Sequence, residues 1–237
     1  MFQPGLVNAM TARHEAAKGF CDITPLSLGV LVYGFAFGLL AAQAQMSGIQ
    51  TGLMSGLVFA GSSQIVGVER LVAGAGALSA LAAGLALNVR ILLMTSSLRR
   101  EFAGRSIWQI LLGAHLTTDE NWALMHATRS KGHPVGYWYL MGGGLSLLVF
   151  WVASTILGIF FAQALPDPRA LGIDFAFTAA FIAMLTSLWR GRPDIGPWVA
   201  SILASGIVVL FLPVEASWAL VVGGLVGALT AGAQARE

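Results

Sequence analysis

The chain has 237 residues, of which 57% are hydrophobic and only 10% charged, and its mean hydropathy is +0.78. Soluble domains carry about 25% charged residues, so the composition predicts an all-α integral membrane protein, a polytopic helical bundle. A net charge of +2 without a basic run gives no footing for nucleic acid, the single Cys21 excludes an intrachain disulfide, and four scattered histidines lack metal-ligand spacing, so neither metal nor cofactor is expected.

Residues 1–22 are mixed and read as a cytoplasmic N-terminal segment, with a brief surface helix over Ala9–Phe20. The apolar run after it is too long for a cleaved signal peptide and lacks a small-residue exit. Ile23–Ala44 is the first predicted span. In it Gly34 and Gly38 lie four apart, on one face where another backbone can approach. Leu53–Val68 is shorter than the roughly 20 residues that cross the hydrocarbon and is interrupted by Phe59-Ala60-Gly61-Ser62-Ser63-Gln64. Glycine followed by hydroxyls suits a broken helix, because the hydroxyls can satisfy freed backbone groups; a serine-lined packing face is the other reading.

Leu71–Leu98 is a long span containing Asn88 and Arg90. Arg90 lies about 12 Å from the end of that span, where a guanidinium costs roughly 3 kcal/mol on insertion scales. It either snorkels toward Arg99 and Arg100 or meets a partner inside the bundle, with Asp119, Glu120, Asp174 or a substrate carboxylate as candidates. Ser106–Met125 holds His115-Leu116-Thr117-Thr118-Asp119-Glu120-Asn121-Trp122, which predicts a helix end near His115–Leu116 and a new helix from Thr117, capped by a box of Thr117 and Glu120. A helix start at that depth is an anion site; an ordinary capped helix at the cytoplasmic surface is the plainer alternative. Val135–Phe161, Leu171–Leu188, Ile195–Leu212 and Ser217–Ala233 are the remaining spans, the first opening on the interfacial anchor Tyr137-Trp138-Tyr139. Phe-Ala-Phe at 35–37 and again at 175–177 hints at an internal repeat. Residues 23–233 thus read as a single transmembrane domain, followed by the short tail 234–237.

The positive-inside rule places Arg190, Arg192 and Arg236 inside. Counting back, Arg129 and Lys131 are inside as well, and Arg99, Arg100 and Arg105 ask for the same side. Both loops can be inside only if 106–125 enters and returns. By the same reasoning, with Arg13 and Lys18 inside, 53–68 dips in from outside. The two segments that fail to cross are the two with polar breaks. The resulting arrangement has six full spans and two re-entrant or broken segments, with both termini cytoplasmic. Of the 13 Lys and Arg, it leaves Arg70 and Arg169 outside and Arg90 within the membrane. Eight full spans, with the 99–105 loop outside, is the alternative.

Two discontinuous helices near mid-membrane, with an arginine and acids beside them, are the makings of a small-molecule permease site. The candidate binding residues are Gly61, Ser62, Ser63, Gln64, Asn88, Arg90, Thr118, Asp119, Glu120 and Asn121; the proton-coupling candidates are Asp119, Glu120 and Asp174. Arg90 and helix N-termini suit a carboxylate, and the acids suit an ammonium group or a proton, so a zwitterion with an apolar side chain fits both.

These motifs carry a resemblance. Pro25 to Gly38, Phe59-Ala60-Gly61-Ser62-Ser63-Gln64, Asn88-Val89-Arg90-Ile91-Leu92-Leu93-Met94 with Ser96-Ser97-Leu98, Thr118-Asp119-Glu120-Asn121-Trp122-Ala123-Leu124, and Gly172-Ile173-Asp174-Phe175 are similar, in order and spacing from about residue 20 to 232, to the AzlC/YgaZ family of branched-chain amino acid permeases. The resemblance implies the larger subunit of a two-part exporter in a bacterial inner membrane, with a small AzlD/YgaH-like membrane partner. It implies export of valine, leucine or isoleucine, and in some members methionine, driven by the proton gradient. One departure is visible: Ile91 follows Arg90 where many members have histidine or tyrosine. If that side chain touches substrate or proton in relatives, this protein differs in selectivity or coupling.

Rival readings make different predictions. An intramembrane enzyme, with Asp119 and Asp174 as an acid pair, predicts product formation rather than vectorial movement. A channel-like facilitator, or a permease for another small zwitterion or organic anion, predicts flux independent of a proton gradient or a different substrate. A purely structural subunit predicts tolerance of changes at Arg90 and Glu120 but not at Gly34 or Gly38.

Overall fold

The structure is a computed structural model and describes residues 4–164, 189, 191–212 and 217–234. Among these every regular element is helical. The chain forms two compact units, Met1–Ala180 and Phe181–Glu237.

The frame of the first unit is a pair of long helices, α1 (Pro4–Gln43) and α8 (Tyr137–Ala164). They run parallel: Gly19 faces Tyr139, Gly34 faces Ser154, and Gly38 faces Gly158. A Cβ on Gly38 would collide with the backbone of Thr155–Ile159, and one on Gly158 with the backbone of Phe35 and Gly38. Glycine is therefore required here for close approach, which lets two backbones gain van der Waals contact where lipid supplies no hydrophobic drive. Ser27 and Ser146 hydroxyls pair across the seam at 3.2 Å, while Ile23, Phe37, Leu140 and Ile159 are fully buried along it.

The predicted break between a surface helix and the first span is absent, for α1 continues through Pro25. Proline removes the N–H that would bond the Cys21 carbonyl, but Thr24 Oγ1 donates to Phe20 O at 2.8 Å and Ser27 Oγ to Ile23 O at 3.3 Å, so hydroxyls reinforce the turns on either side.

Between the frame helices come α2 (Gly48–Val58), α3 (Gly61–Val72), α4 (Gly76–Ser97), the short α5 (Arg99–Phe102), α6 (Ile107–His115) and α7 (Asp119–Ser130). Helices α3 and α4 are antiparallel, with Gly67 facing Ala80 and Gly84 facing Ser63. Helix α4 ends where Trp122 Nε1 donates to Ser97 Oγ at 2.9 Å, beside the start of α8. It follows that α3 runs toward the far end of α8, the same end at which α1 stops and α2 begins. The α2–α3 pair therefore starts and finishes at one end of the frame. The α6–α7 pair does so at the other. Arg129, at the close of α7, pairs with Glu101, before α6, at 2.6 Å, and Tyr137 donates to Gln109 O at 2.8 Å.

In the second unit, α9 (Ile195–Phe211) and α10 (Ser217–Gln234) form an antiparallel hairpin. Gly196 faces Gln234, Gly223 and Gly227 face Ser201, and Ser205 Oγ donates to Ala219 O at 3.0 Å.

Four described helices are long and apolar enough to cross a membrane: Ala12–Gln43, Gly76–Ser97, Tyr137–Ala164 and Arg192–Phe211. With the two broken segments they make this an all-α polytopic membrane protein. The predicted span 171–188, with Asp174 and the second Phe-Ala-Phe, lies outside the described residues.

Candidate functional site

Both predicted breaks are present, the first within the expected interruption 59–64 and the second with its helix restarting two residues later than expected. The first falls at Phe59–Ala60, and Gly61-Ser62-Ser63-Gln64 opens α3 instead of forming the break. Phe59 holds φ 41 and ψ 47, a left-handed conformation that L-residues reach only at a cost of about 1 kcal/mol or more. Its ring packs on His115 at 5.9 Å, which helps hold the strained turn. Gly61 provides space rather than an unusual φ: a Cβ there would lie 3.0 Å from the Trp151 ring and 3.1 Å from that of Tyr33.

The second break spans Leu116–Thr118. The predicted capping box of Thr117 and Glu120 is corrected by one residue. Thr118 is the extended N-cap, its hydroxyl accepts from the Asn121 N–H, and Asn121 Oδ1 accepts from the Thr118 N–H at 2.8 Å. Thr117 turns the other way and donates to Gly113 O at 2.7 Å, closing the helix before it. Asparagine at the third helical position reaches back as glutamate would, and Asn121 can be buried because its Nδ2 donates to Leu116 O at 2.6 Å and Leu140 O at 3.3 Å. The chain comes this close to α8 because Gly143 and Gly144 leave room; a Cβ on Gly144 would lie 2.7 Å from Leu116 Cβ and 3.0 Å from Asn121 Nδ2.

The two breaks meet. His115 Nε2 hydrogen-bonds Gly56 O at 3.0 Å, joining the last turn of α6 to that of α2. Arg90 of α4 then links the two helices that restart: Nη2 donates to Ser62 Oγ at 2.7 Å, and Nη1 pairs with Asp119 at 2.8 Å. Of the partners open to Arg90, the structure shows Asp119, with both side chains partly exposed.

The other sequence candidates divide by what already occupies their polar atoms. Ser63 Oγ donates to Ala60 O at 2.8 Å, and Thr118 and Asn121 are consumed by the cap, so these three serve the breaks. Gln64 is fully buried and accepts from Trp151 Nε1 at 3.1 Å, while its Nε2 has no partner among the described residues. Asn88 Oδ1 is likewise buried without one. Glu120 is half-buried and makes no hydrogen bond or ion pair among the described residues.

Two side chains escaped the sequence reading. Tyr33 and Trp151 pack together at 5.7 Å and wall the start of α3, and Trp151 stacks on Phe37. A tryptophan midway along an apolar span, away from the interface where the residue is enriched, was the available signal.

Capping separates the two restarts chemically. Helices α2, α6 and α7 each carry a full capping box; α3 has no side-chain cap. Its N-terminus presents backbone donors beside the Arg90 guanidinium and the unpaired Gln64 amide, all of which favour negative charge. The α7 N-terminus is self-satisfied and offers the carboxylates of Asp119 and Glu120.

A family model described as AzlC protein matches residues 25–165, more than half of the chain. The chain belongs to the AzlC family. The inner membrane protein YgaZ of Escherichia coli is 28% identical over 226 residues, covering 92% of this chain and 90% of that protein. The branched-chain amino acid transport protein AzlC of Bacillus subtilis is 26% identical over 190 residues, 78% of this chain and 74% of its own length. An uncharacterized membrane protein of Haemophilus influenzae is 26% identical over 203 residues, covering 84% and 80% of the two chains. No solved structure matches. The segment matched by the family model contains both breaks, Arg90, Tyr33 and Trp151, whereas Asp174 lies beyond it.

Proposed function

We propose that this chain is the larger subunit of a bacterial inner-membrane exporter of branched-chain amino acids, coupled to the proton gradient and working with a small AzlD/YgaH-like membrane partner. The observation that carries the reading is Arg90, held between the uncapped start of α3 and the acid-bearing start of α7. The likeness to a relative named for branched-chain amino acid transport supports the substrate class. In this reading α2–α3 and α6–α7 dip into the membrane from opposite faces, and both termini are cytoplasmic.

The difference in capping gives the substrate a direction. The carboxylate sits at the α3 end, on the Ser62 side of Arg90, and the ammonium group faces Glu120. Asp119 is paired with Arg90. Protonating Asp119 removes its charge and frees Arg90 for the incoming carboxylate, so one arginine couples proton to substrate. Asp174 remains a second proton candidate from the sequence.

The test is efflux of labelled valine, leucine and methionine from preloaded cells lacking their own exporters, with and without the small partner, before and after collapse of the proton gradient. Gradient-dependent efflux that requires the partner is the expected result. Asp119→Asn should abolish the gradient dependence, and Glu120→Gln should raise the substrate concentration needed for half-maximal flux. Flux that ignores the gradient in the wild type would favour the facilitator.

A further inference from the structure

A second polar recess, of about 450 Å³, opens where the end of α4 and α5 meet α7. It is separate from the Arg90 site and lies at the end of the bundle that carries the 99–105 basic loop. Arg129 and Glu101 line it, but they are paired at 2.6 Å, and Arg129 also donates to Val135 O, so their charges are matched. Arg99 and Arg100 line it too, exposed and without an ion pair or hydrogen bond among the described residues. His126, its ring tilted against that of Trp122 with centroids 4.6 Å apart, closes one side.

The floor narrows the ligand class. Ser96 and Ser97 hydroxyls already donate to Leu92 O and Met94 O at 2.7 and 2.6 Å, so they are not free to donate to a ligand. What remains is two unmatched guanidinium forks and an imidazole, a donor set for an anion with several oxygens, of which phosphate matches the fork geometry. The wall above the recess is apolar. Leu85, Val89 and Leu92 are 61%, 53% and 65% exposed and lie on one face of α4 that runs down to Ser96. A free anion would use the recess alone, whereas a phospholipid uses both features, acyl chain along the stripe and phosphate at the arginines.

We propose that this recess holds the phosphate of an anionic phospholipid, with Arg99 and Arg100 as its principal donors and His126 as an auxiliary one. The inference does not depend on what the chain transports.

The experiment is native mass spectrometry of the full chain in mild detergent, titrated with phosphatidylglycerol or phosphatidylcholine. Wild type should retain phosphatidylglycerol about tenfold more strongly than phosphatidylcholine, and Arg99→Gln/Arg100→Gln should lose that preference. Arg99→Lys/Arg100→Lys keeps the charge that sets loop orientation but not the fork, and should retain the lipid about threefold more weakly than wild type. His126→Ala leaves the loop charge untouched, and a similar loss is expected; it carries the test should the glutamine pair prove not to fold. Equal retention of the two lipids by wild type, or unchanged retention in both the glutamine pair and His126→Ala, would overturn the proposal. So would complete displacement of phosphatidylglycerol by millimolar inorganic phosphate, which would make the ligand a free anion.

Discussion

Replacing Arg90 with alanine should leave the fold nearly intact and stop transport. The substitution removes one hydrogen bond, to Ser62, and one ion pair, to Asp119. The pair is well formed at 2.8 Å, but its side chains are 46% and 38% exposed, so solvent screening holds its worth to about 0.2–1 kcal/mol. The hydrogen bond adds about 1 kcal/mol. The expected stability loss is about 1–2 kcal/mol, or roughly 3–6 °C in the apparent midpoint for a chain of this length. Transport should suffer more, because a charge-assisted contact to the substrate carboxylate is worth about 3 kcal/mol, a fall of more than 100-fold in flux.

A charge-reversed pair separates the two effects. Arg90→Asp/Asp119→Arg restores opposite charges across the gap and should recover most of the lost midpoint. Efflux should not recover, since a carboxylate now sits permanently at the start of α3. The readings are scanning fluorimetry on purified protein and efflux of labelled leucine at matched expression. Efflux within twofold of wild type in Arg90→Ala would refute the assignment. A stability loss above about 4 kcal/mol would instead make Arg90 a strut of the core.

Further consequences follow from the packing. Gly38→Val and Gly158→Val should each force α1 and α8 apart at their closest backbone approach and cost about 1–3 kcal/mol, seen as a lower midpoint with aggregation in detergent. Thr118→Ala removes the cap of α7 and should cost about 1 kcal/mol, whereas Asn121→Ala should cost more by leaving the buried Leu116 and Leu140 carbonyls short of a donor; thermal midpoints of the two variants, compared directly, check the order. In a Cys21→Ala background, Arg100→Cys and Lys131→Cys should both react with an impermeant thiol reagent from the cytoplasmic face, and Ile49→Cys and Ala73→Cys from the opposite face. Labelling of Arg100→Cys and Lys131→Cys from different faces would show that α6–α7 crosses.

Much of this arrangement was legible because a polar residue in an apolar chain must have a reason. Ser62, Arg90 and Asp119 each stood out that way, and the structure brings all three together. The register of the breaks was not legible. Thr117 and Thr118 are equivalent cap candidates in sequence, and the choice is made by Asn121, which buries only because Gly143 and Gly144 on a distant helix leave room for it. Phe59 was likewise hidden, since nothing local marks a phenylalanine for a left-handed conformation; His115 supplies the support from another segment. The continuity of α1 escaped because Thr24-Pro25 reads as a helix start, and only the hydroxyl bonds within the helix show it to be a reinforced interior.

The unequal burial of the helices bears on which part can move. In their most apolar stretches, 44% of residues are buried in both α1 and α8, against 6% in α4. Helices α1 and α8 are bound by backbone contact at glycines, an arrangement that cannot slide without collision. Helix α4 has no such seam with them. It is held to α3 by small-residue contacts, and to α7 by the Arg90–Asp119 pair and the Trp122–Ser97 hydrogen bond. Two polar links, each worth on the order of 1 kcal/mol, are a weak tether for a helix of this length, and one of them is the pair that substrate or proton would break. Losing it leaves α4 tied to α7 by the Trp122–Ser97 bond and by Leu98, buried against Met125 at the end of the helix, while α3 stays fastened to the frame through Gln64 and Trp151. In the proposed mechanism the charge exchange at Arg90 and the freedom of α4 relative to α3 and the α1–α8 frame are one event, so a site built on a tightly packed helix could bind the same zwitterion without being able to release it to the other side.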